Sequence, residues 1–413
     1  MRQNYRFCDK FDVINELKFN PHYSALAAQA AQQVCLTVSE AFKSYGEALD
    51  EWFKNPSKFT GKPKAPNYRK PNGLNLIAYP KQALKLVDGK VRFPLGDKSK
   101  TWFAVQYFFV NFPSNLNWEV IKEIRILPKN GSFYAEFVYP ASVSDLKLDQ
   151  SKALGIDHGL DNWLTCVSNI GKSFIVDGHR VKSMTKYYNK QVANIKTDKP
   201  QSYWDDQLDL ITQKRNHQMR DAVNKAARFV ISWCIKNDVG TVVFGWNKRQ
   251  KDSINIGDKN NQSFVQTPTA KLKDRIEQLC KENGITFVET EESYTSKASF
   301  LDNDFLPKFG EKPERWKASG KRLLRGEYTT AKGIKINADC NGAANILRKV
   351  STQLGLSLDK VRKEALTLPK RYCIFKNLKQ RYQARLKPRL ITFRLESPFF
   401  KWGRGQYRSP LVS

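Results

Sequence analysis

Two acidic stretches far apart in the chain constrain its fold most strongly. Gly155-Ile156-Asp157-His158-Gly159 places Asp157 at the end of a short apolar run that reads as a strand. Asp339-Cys340-Asn341-Gly342-Ala343-Ala344-Asn345-Ile346 opens with an acid and continues in small residues on a predicted helix. The acids are 182 positions apart, so they meet only if the intervening chain folds back on itself. Paired acids of this kind hold divalent metal for phosphate chemistry. Each stretch alone is weak, because an acid opening a helix is most often its N-cap, and Asp339 by itself reads that way.

The charge balance points to the other half of that chemistry. Seventy Lys and Arg stand against 40 Asp and Glu, a formal net charge of +30, and self-repulsion on that scale calls for a polyanionic partner, most simply nucleic acid. A membrane surface is the alternative, but no amphipathic basic helix or long apolar run supports it. The polar start Met1-Arg2-Gln3-Asn4-Tyr5-Arg6 is not a signal peptide. At 413 residues the chain has room for two or three domains, and 40% hydrophobic content with 25 Phe, 16 Tyr and 9 Trp supports packed cores. Seven scattered cysteines without a C-x-x-C pair suit a reducing cytoplasm and exclude a disulfide framework.

Along the chain, residues from about His22 to Lys54 read as one or two long helices. Val34, Val38, Phe42, Tyr45, Leu49 and Trp52/Phe53 form one apolar face, expected to pack on a core. Residues 58–70 mix five cations with Phe59, Tyr68 and two prolines without periodicity, which suits either nucleic-acid contact or a solvated linker. From Leu74 to Tyr139, short aromatic and β-branched runs alternate with turn residues. Leu84–Val87, Val91–Pro94, Trp102–Val110, Ile121–Leu127 and Phe133–Tyr139 read as strands of a small antiparallel barrel or sheet. Asp88-Gly89 and Asn130-Gly131 are hairpin turns.

After Ser142 the pattern changes to three strands (153–157, 162–168, 173–176), helices over 181–196 and 207–237, and a buried-type strand over 240–245. A helix over 271–281, a strand over 285–289 and the helix from Asp339 follow. That order is expected of an RNase H-like α/β fold, where acids gather at the ends of central strands. The segment from Val361 onward carries fourteen Lys and Arg against two acids, interleaved with aromatics, and suits nucleic-acid contact.

Gly155-Ile156-Asp157-His158-Gly159-Leu160, the Arg215–Ala227 helix, Tyr294-Thr295-Ser296-Lys297 and the Asp339–Ile346 stretch resemble the RuvC domain of transposon-encoded TnpB proteins, relatives of the compact type V CRISPR effectors. The resemblance covers roughly residues 155–350 and extends more loosely to residues 59–68. It implies RNA-guided, metal-dependent cleavage of double-stranded DNA in a prokaryotic cytoplasm, with one protein per guide RNA. Two Mg²⁺, or Mn²⁺ in substitution, would lie about 4 Å apart and stabilise the attacking water and the leaving oxygen. Asp157 matches the family's first acid and Asp339 its last. Nucleic-acid contacts are expected from Lys62, Lys64, Tyr68, Arg69, Lys70, Arg215, Lys297, Lys321, Arg322 and Arg325.

Three departures from the family pattern stand out. The middle acid is missing: the strand over 241–244 runs into Gly245-Trp246-Asn247. Glu289, Glu291 and Glu292 close the next strand, and neighbouring strands lie about 4.8 Å apart, so a glutamate relocated there could reach the same metals. Glu292, directly before the Ser-Tyr-Thr-Ser run, is the expected third acid and Glu291 the alternative; otherwise the trio is a solvated loop and the site is dead. Second, residues 297–338 contain no Cys or His, so the family's zinc ribbon has no thiolates here. Third, the chain starts late relative to the family, which suggests a truncation or an altered barrel.

The expected organisation is therefore a recognition-type helical segment with a basic linker (1–73), a wedge-like β-barrel (74–150) and a RuvC-like domain in two parts (151–293 and 337–350). A nucleic-acid-binding insert without zinc ligands (294–336) and a basic aromatic tail (351–413) complete it. The competing functions are guide-dependent DNA binding without cleavage, and a transposase or recombinase on the same fold. His158, His179 and His217 receive no role.

Overall fold

A computed structural model describes residues 10–69, 73–140, 143–247, 267–324 and 326–375. Two helices, α1 (Lys10–Leu17) and α2 (Ala28–Lys54), open it, with turns between them where the sequence suggested continuous helix from about His22. The expected apolar face of α2 does not supply the packing. Val34 and Val38 are each 41% exposed and Phe53 is 66% exposed. Ala27 and Ala30 instead enter the core of the following β-rich region, because their small side chains let the helix backbone lie close against it.

That region forms two three-stranded antiparallel sheets. One orders β1 (Ile77–Pro80), β5 (Glu123–Lys129) and β6 (Ser132–Val138); the other orders β2 (Lys85–Val87), β3 (Lys90–Pro94) and β4 (Tyr107–Asn111). Their strand ladders are separate, so the expected barrel is represented by two sheets around one core that includes Tyr79, Val91, Phe93, Ile121 and Ile124. Phe93 stacks on Phe108 at 4.7 Å, and Tyr79 meets Phe93 edge-on. Both hairpin turns form as the sequence indicates, with positive φ at Asp88 and Gly89 and at Asn130 and Gly131. Trp102 departs from expectation: it lies in helix α3 (Asp97–Phe103), which ends where Ala104 turns left-handed, and the strand starts only at Tyr107.

From residue 149 the order of elements follows the sequence pattern. A six-stranded sheet runs β11-β10-β7-β8-β9-β15. Its strands are β7 (Asp149–His158), β8 (Asn162–Ser168), β9 (Lys172–Asp177), β10 (Val239–Gly245), β11 (Thr286–Thr290) and a short edge strand β15 (Lys370–Tyr372). β7, β8 and β9 are antiparallel neighbours, while β10 runs parallel to β7, and β11 parallel to β10. Helices α4 (His179–Lys196), α5 (Asp206–Lys236) and α6 (Thr269–Glu282) precede α7 (Ala338–Leu354).

The two-residue period of the strands divides the cores. Leu154, Ile156, Val242 and Phe244 pack with residues of α5 and α6, whereas Ala153 and Val243 pack with Ile346, Leu347 and Val350 of α7. Asp157 and Gly245 follow by that alternation on the α7 face.

The insert holds a sheet that the sequence did not announce: β12 (Lys321–Leu324), β13 (Glu327–Thr329) and β14 (Lys335–Asn337), leading directly into α7. A one-turn helix, α8 (Lys363–Thr367), precedes β15. Among the described residues no helix is long and apolar enough to cross a membrane.

Candidate active site

Asp339 is not the N-cap of α7. Asn337 takes that place, its side-chain oxygen accepting from the Asp339 and Cys340 amides at 3.0 Å each. The Asp339 carboxylate is thereby released for other partners in the first turn, where the helix dipole favours negative charge. Its Oδ2 accepts from Asn162 Nδ2 at 2.6 Å and its Oδ1 from Arg322 Nη2 at 3.3 Å.

The rest of the motif brings this helix onto the sheet. A Cβ on Gly342 would lie 2.7 Å from Asp157 Oδ2, so only glycine lets α7 sit this close to the first acid. Asn341 and Asn345, one turn apart and fully buried, grip the loop after β11. Asn341 donates to the Ala298 carbonyl and accepts from the Phe300 amide, while Asn345 donates to the carbonyls of Thr295 and Ala298. The motif thus fixes the turn carrying the glutamates against the helix carrying Asp339.

The three candidate glutamates part company. Glu289 pairs with Lys273 of α6, on the opposite side of the sheet. Glu291 is engaged by Lys349 of α7 and the Ser293 amide; burial pushes its carboxyl up, but these contacts outweigh it and hold the pKa below the ordinary value. Glu292 turns toward Asp157. Its amide donates to Asn247 Oδ1 at 3.1 Å, and Asn247 Nδ2 lies 3.4 Å from its Oε1. A Cβ built on Gly245 would stand 3.3 Å from Glu292 Oε2 and would overlap Ile346. The carboxylate from β11 therefore occupies space beside the missing side chain of β10.

Burial first, then the charges of Glu292 and Asp339, push the Asp157 carboxyl well above its ordinary pKa; the His158 amide and Arg322 work against that rise. The three acids form one electrostatic group. Among the described residues, no three His, Cys, Asp or Glu side chains close into a ready metal cage. The acids sense one another's charge without closing into such a cage. Carboxylate oxygens suit a hard divalent cation, and such a cation would relieve the charge that raises Asp157, so the residues fit that group.

The expected nucleic-acid residues are spread more widely. Arg322 reaches Asp339, so it belongs to the acid cluster. Lys297 and Lys321 are both exposed in the insert. Lys62 lies over the Trp52 and Phe53 rings at 5.6 and 5.7 Å, while Lys64, Tyr68 and Arg69 are exposed on the linker after α2. Arg215 is half-buried between α4 and α5, 5.5 Å over Tyr188, on one wall of an open groove of about 830 Å³. Lys70 and Arg325 lie outside the described residues, as does most of the basic tail.

Sequence reasoning missed Asn162, Asn247 and the contact of His158, whose Nε2 is 3.9 Å from Glu292 Oε2. Asn247 carried a signal, because it directly follows the gap left by the absent middle acid. Asn162, at the start of β8, carried none; its hydrogen bond to Asp339 arises only in the folded chain.

With this geometry established, comparison with known proteins is informative. The profile of the OrfB_IS605 family, described as a probable transposase, matches residues 137–251. The profile of the Cas12f1-like TNB domain matches residues 270–346. The resemblance to TnpB proteins is borne out. A TnpB-like protein, ORF457 of Acidianus two-tailed virus, is 24% identical over 234 residues, which cover 54% of this chain and 46% of that relative. The chain thus spans about half the length of that relative. Among solved structures, a Cas12f1–sgRNA–target DNA complex gives a TM-score of 0.47 at 15% identity, covering 82% of this chain and 80% of that one. A CRISPR-Cas12f ternary complex gives 0.35 at 16% identity, covering 81% and 73%.

Proposed function

We propose that the protein is an RNA-guided DNA endonuclease whose RNase H-like domain hydrolyses phosphodiester bonds with Asp157, Glu292 and Asp339. The observation that carries this reading is the Glu292 carboxylate beside the side-chain-free Gly245, within electrostatic reach of Asp157. Its supports are the TnpB resemblance, the family-profile matches over 137–251 and 270–346, and the net charge of +30.

The three carboxylates would hold two divalent ions, Mg²⁺ with Mn²⁺ as a substitute, which when bound neutralise charge on the attacking and leaving oxygens. The chain's own residues prepare that site. Asn247 orients Glu292, Asn162 orients Asp339, and Gly342 leaves room for Asp157. Arg322 presents a guanidinium at the rim of the cluster, suited to a phosphate oxygen of the strand being cut. The sheet insert, the linker at 62–69 and the α4–α5 groove supply basic and aromatic surface for the guide RNA and the DNA duplex.

A second reading is guide-dependent DNA binding without cleavage. It is favoured by the absence of a carboxylate at Gly245. Co-expression with the RNA of its own locus, purification, and incubation with target plasmid and Mg²⁺ separate the two. The proposal predicts co-purified RNA and cleavage that Asp157→Ala abolishes. Tight RNA-dependent binding without cutting establishes the second reading, and a protein that carries no RNA overturns both.

A further inference from the structure

The last described strand of the sheet reaches the acid cluster through a chain of three hydrogen bonds. Arg371 on β15 donates from Nη1 to Asp177 Oδ2 at 3.0 Å and from Nη2 to Asn162 Oδ1 at 2.7 Å. Asn162 then donates from Nδ2 to Asp339 Oδ2 at 2.6 Å. The sheet register explains how these residues meet. β15 runs parallel to β9 with Arg371 opposite Ile175, so its guanidinium lies beside the end of β9 that carries Asp177. Asn162 and Asp177 are register partners across β8 and β9, which places the start of β8 at the same edge.

The direction of each bond follows from the groups themselves. A guanidinium only donates and an ionised carboxylate only accepts, whereas a primary amide does one at each end. Arg371 must therefore face the amide oxygen of Asn162, which leaves the amide nitrogen for Asp339. Without Arg371, a half-turn of the amide would set its oxygen against the carboxylate oxygen, trading attraction for repulsion. Asp177, which also binds His179 through its amide and its ring, anchors Arg371 from the other side.

We infer that Asn162 and Arg371 are positioning residues for Asp339, and that β15, beyond the family-profile match at 270–346, is therefore part of the active-site architecture. This rests on the proposed role of the acids as holders of a divalent cation. Arg371 acts only through Asn162, and Asn162 fixes one oxygen of Asp339 so that the other faces the cluster. Groups that orient a metal-binding carboxylate typically change metal affinity or activity by about 10- to 100-fold when removed.

The test is a Mn²⁺ titration of the full-length protein, with free ion followed by electron paramagnetic resonance. Wild type is compared with Asn162→Ala, Arg371→Gln, the double variant, Asp157→Asn and the exposed neighbour Lys370→Ala. Asn162→Ala and Arg371→Gln should each weaken Mn²⁺ binding by about 10-fold or more. The double variant should bind no more weakly than Asn162→Ala alone, because the arginine works through the amide. Lys370→Ala should bind as wild type.

Unchanged affinity in Arg371→Gln, where Asp157→Asn weakens binding, overturns the inference while leaving the metal site intact. Additive losses in the double variant also overturn it, because they mean independent structural effects. If Asp157→Asn itself leaves Mn²⁺ binding unchanged, the metal-site reading fails instead. A thermal melt checks each variant, and if Arg371→Gln does not fold, Asn162→Ala decides the orienting role by itself.

Discussion

Single positions explain how a site with a missing acid can still be assembled. Gly245 lacks a side chain, and the Glu292 carboxylate stands beside the space one would fill. Gly342 has the opposite task, keeping room for Asp157. In Gly342→Ala the new methyl would press on Asp157 Oδ2 at 2.7 Å and displace the acid. Misplacing a reacting group by about 1 Å can reduce rate by roughly 10²-fold, so cleavage should fall on that order while the melting temperature changes little. Plasmid-cleavage kinetics beside a thermal melt check this. Asp157 itself carries a stability cost: burial and the neighbouring acids raise its pKa in the folded state, so its ionised form opposes folding at neutral pH. Asp157→Asn should abolish cleavage and raise the melting temperature of the metal-free protein. A lower melting temperature would contradict this account of the cluster.

At the scale of elements, the central sheet and its covering helices were legible because their strands are long apolar runs and their helices carry clear stripes. Trp163, Leu164, Cys166, Val242 and Phe244 are all fully buried, as such runs demand. The face of α2 differs from the expected one because Ala27 and Ala30 enter the core while Val34, Val38 and Phe53 stay exposed and Phe42, Tyr45, Leu49 and Trp52 are only half-buried. The insert's sheet was illegible because its strands have three or four residues and every residue of Lys321–Leu324 is exposed. The acids Asp157 and Asp339 and the preference for Glu292 were legible in the sequence, whereas the lysines that engage Glu289 and Glu291 come together only in the fold.

The insert is braced by two carboxylates. Asp302 Oδ2 accepts from Ser299 Oγ, Ser319 Oγ and the Ala331 amide, and Asp304 Oδ2 accepts from the amides of Ser299 and Ser319. Burial pushes the Asp302 carboxyl up, but these hydrogen bonds outweigh it and hold the pKa below its ordinary value. A depressed acid contributes stability that is complete above the unfolded pKa of about 3.9 and is lost as pH falls through the lower folded value. Amide exchange at Ala331, whose N–H is held by Asp302, should therefore stay protected at pH 5 and lose protection only in stronger acid. Asn341→Ala should weaken the neighbouring clamp, orphaning the Phe300 amide and lowering stability by about 1–3 kcal/mol in denaturant titrations.

For the molecule as a whole, the charge of +30 makes nucleic-acid affinity strongly dependent on salt. If six or more phosphates are contacted, affinity should fall on the order of 10³-fold between roughly 50 and 200 mM salt. A nearly flat salt dependence would mean the basic surfaces do not meet a phosphate backbone. In the proposed function, DNA cleavage rests on the glutamate beside Gly245. The most direct test compares guide-dependent plasmid cleavage in Glu292→Gln and Glu291→Gln. The account predicts that Glu292→Gln removes cleavage while RNA binding is retained, and that Glu291→Gln, which weakens contacts with Lys349 and the Ser293 amide, continues to cut. Cleavage that survives Glu292→Gln and is lost in Glu291→Gln would contradict it.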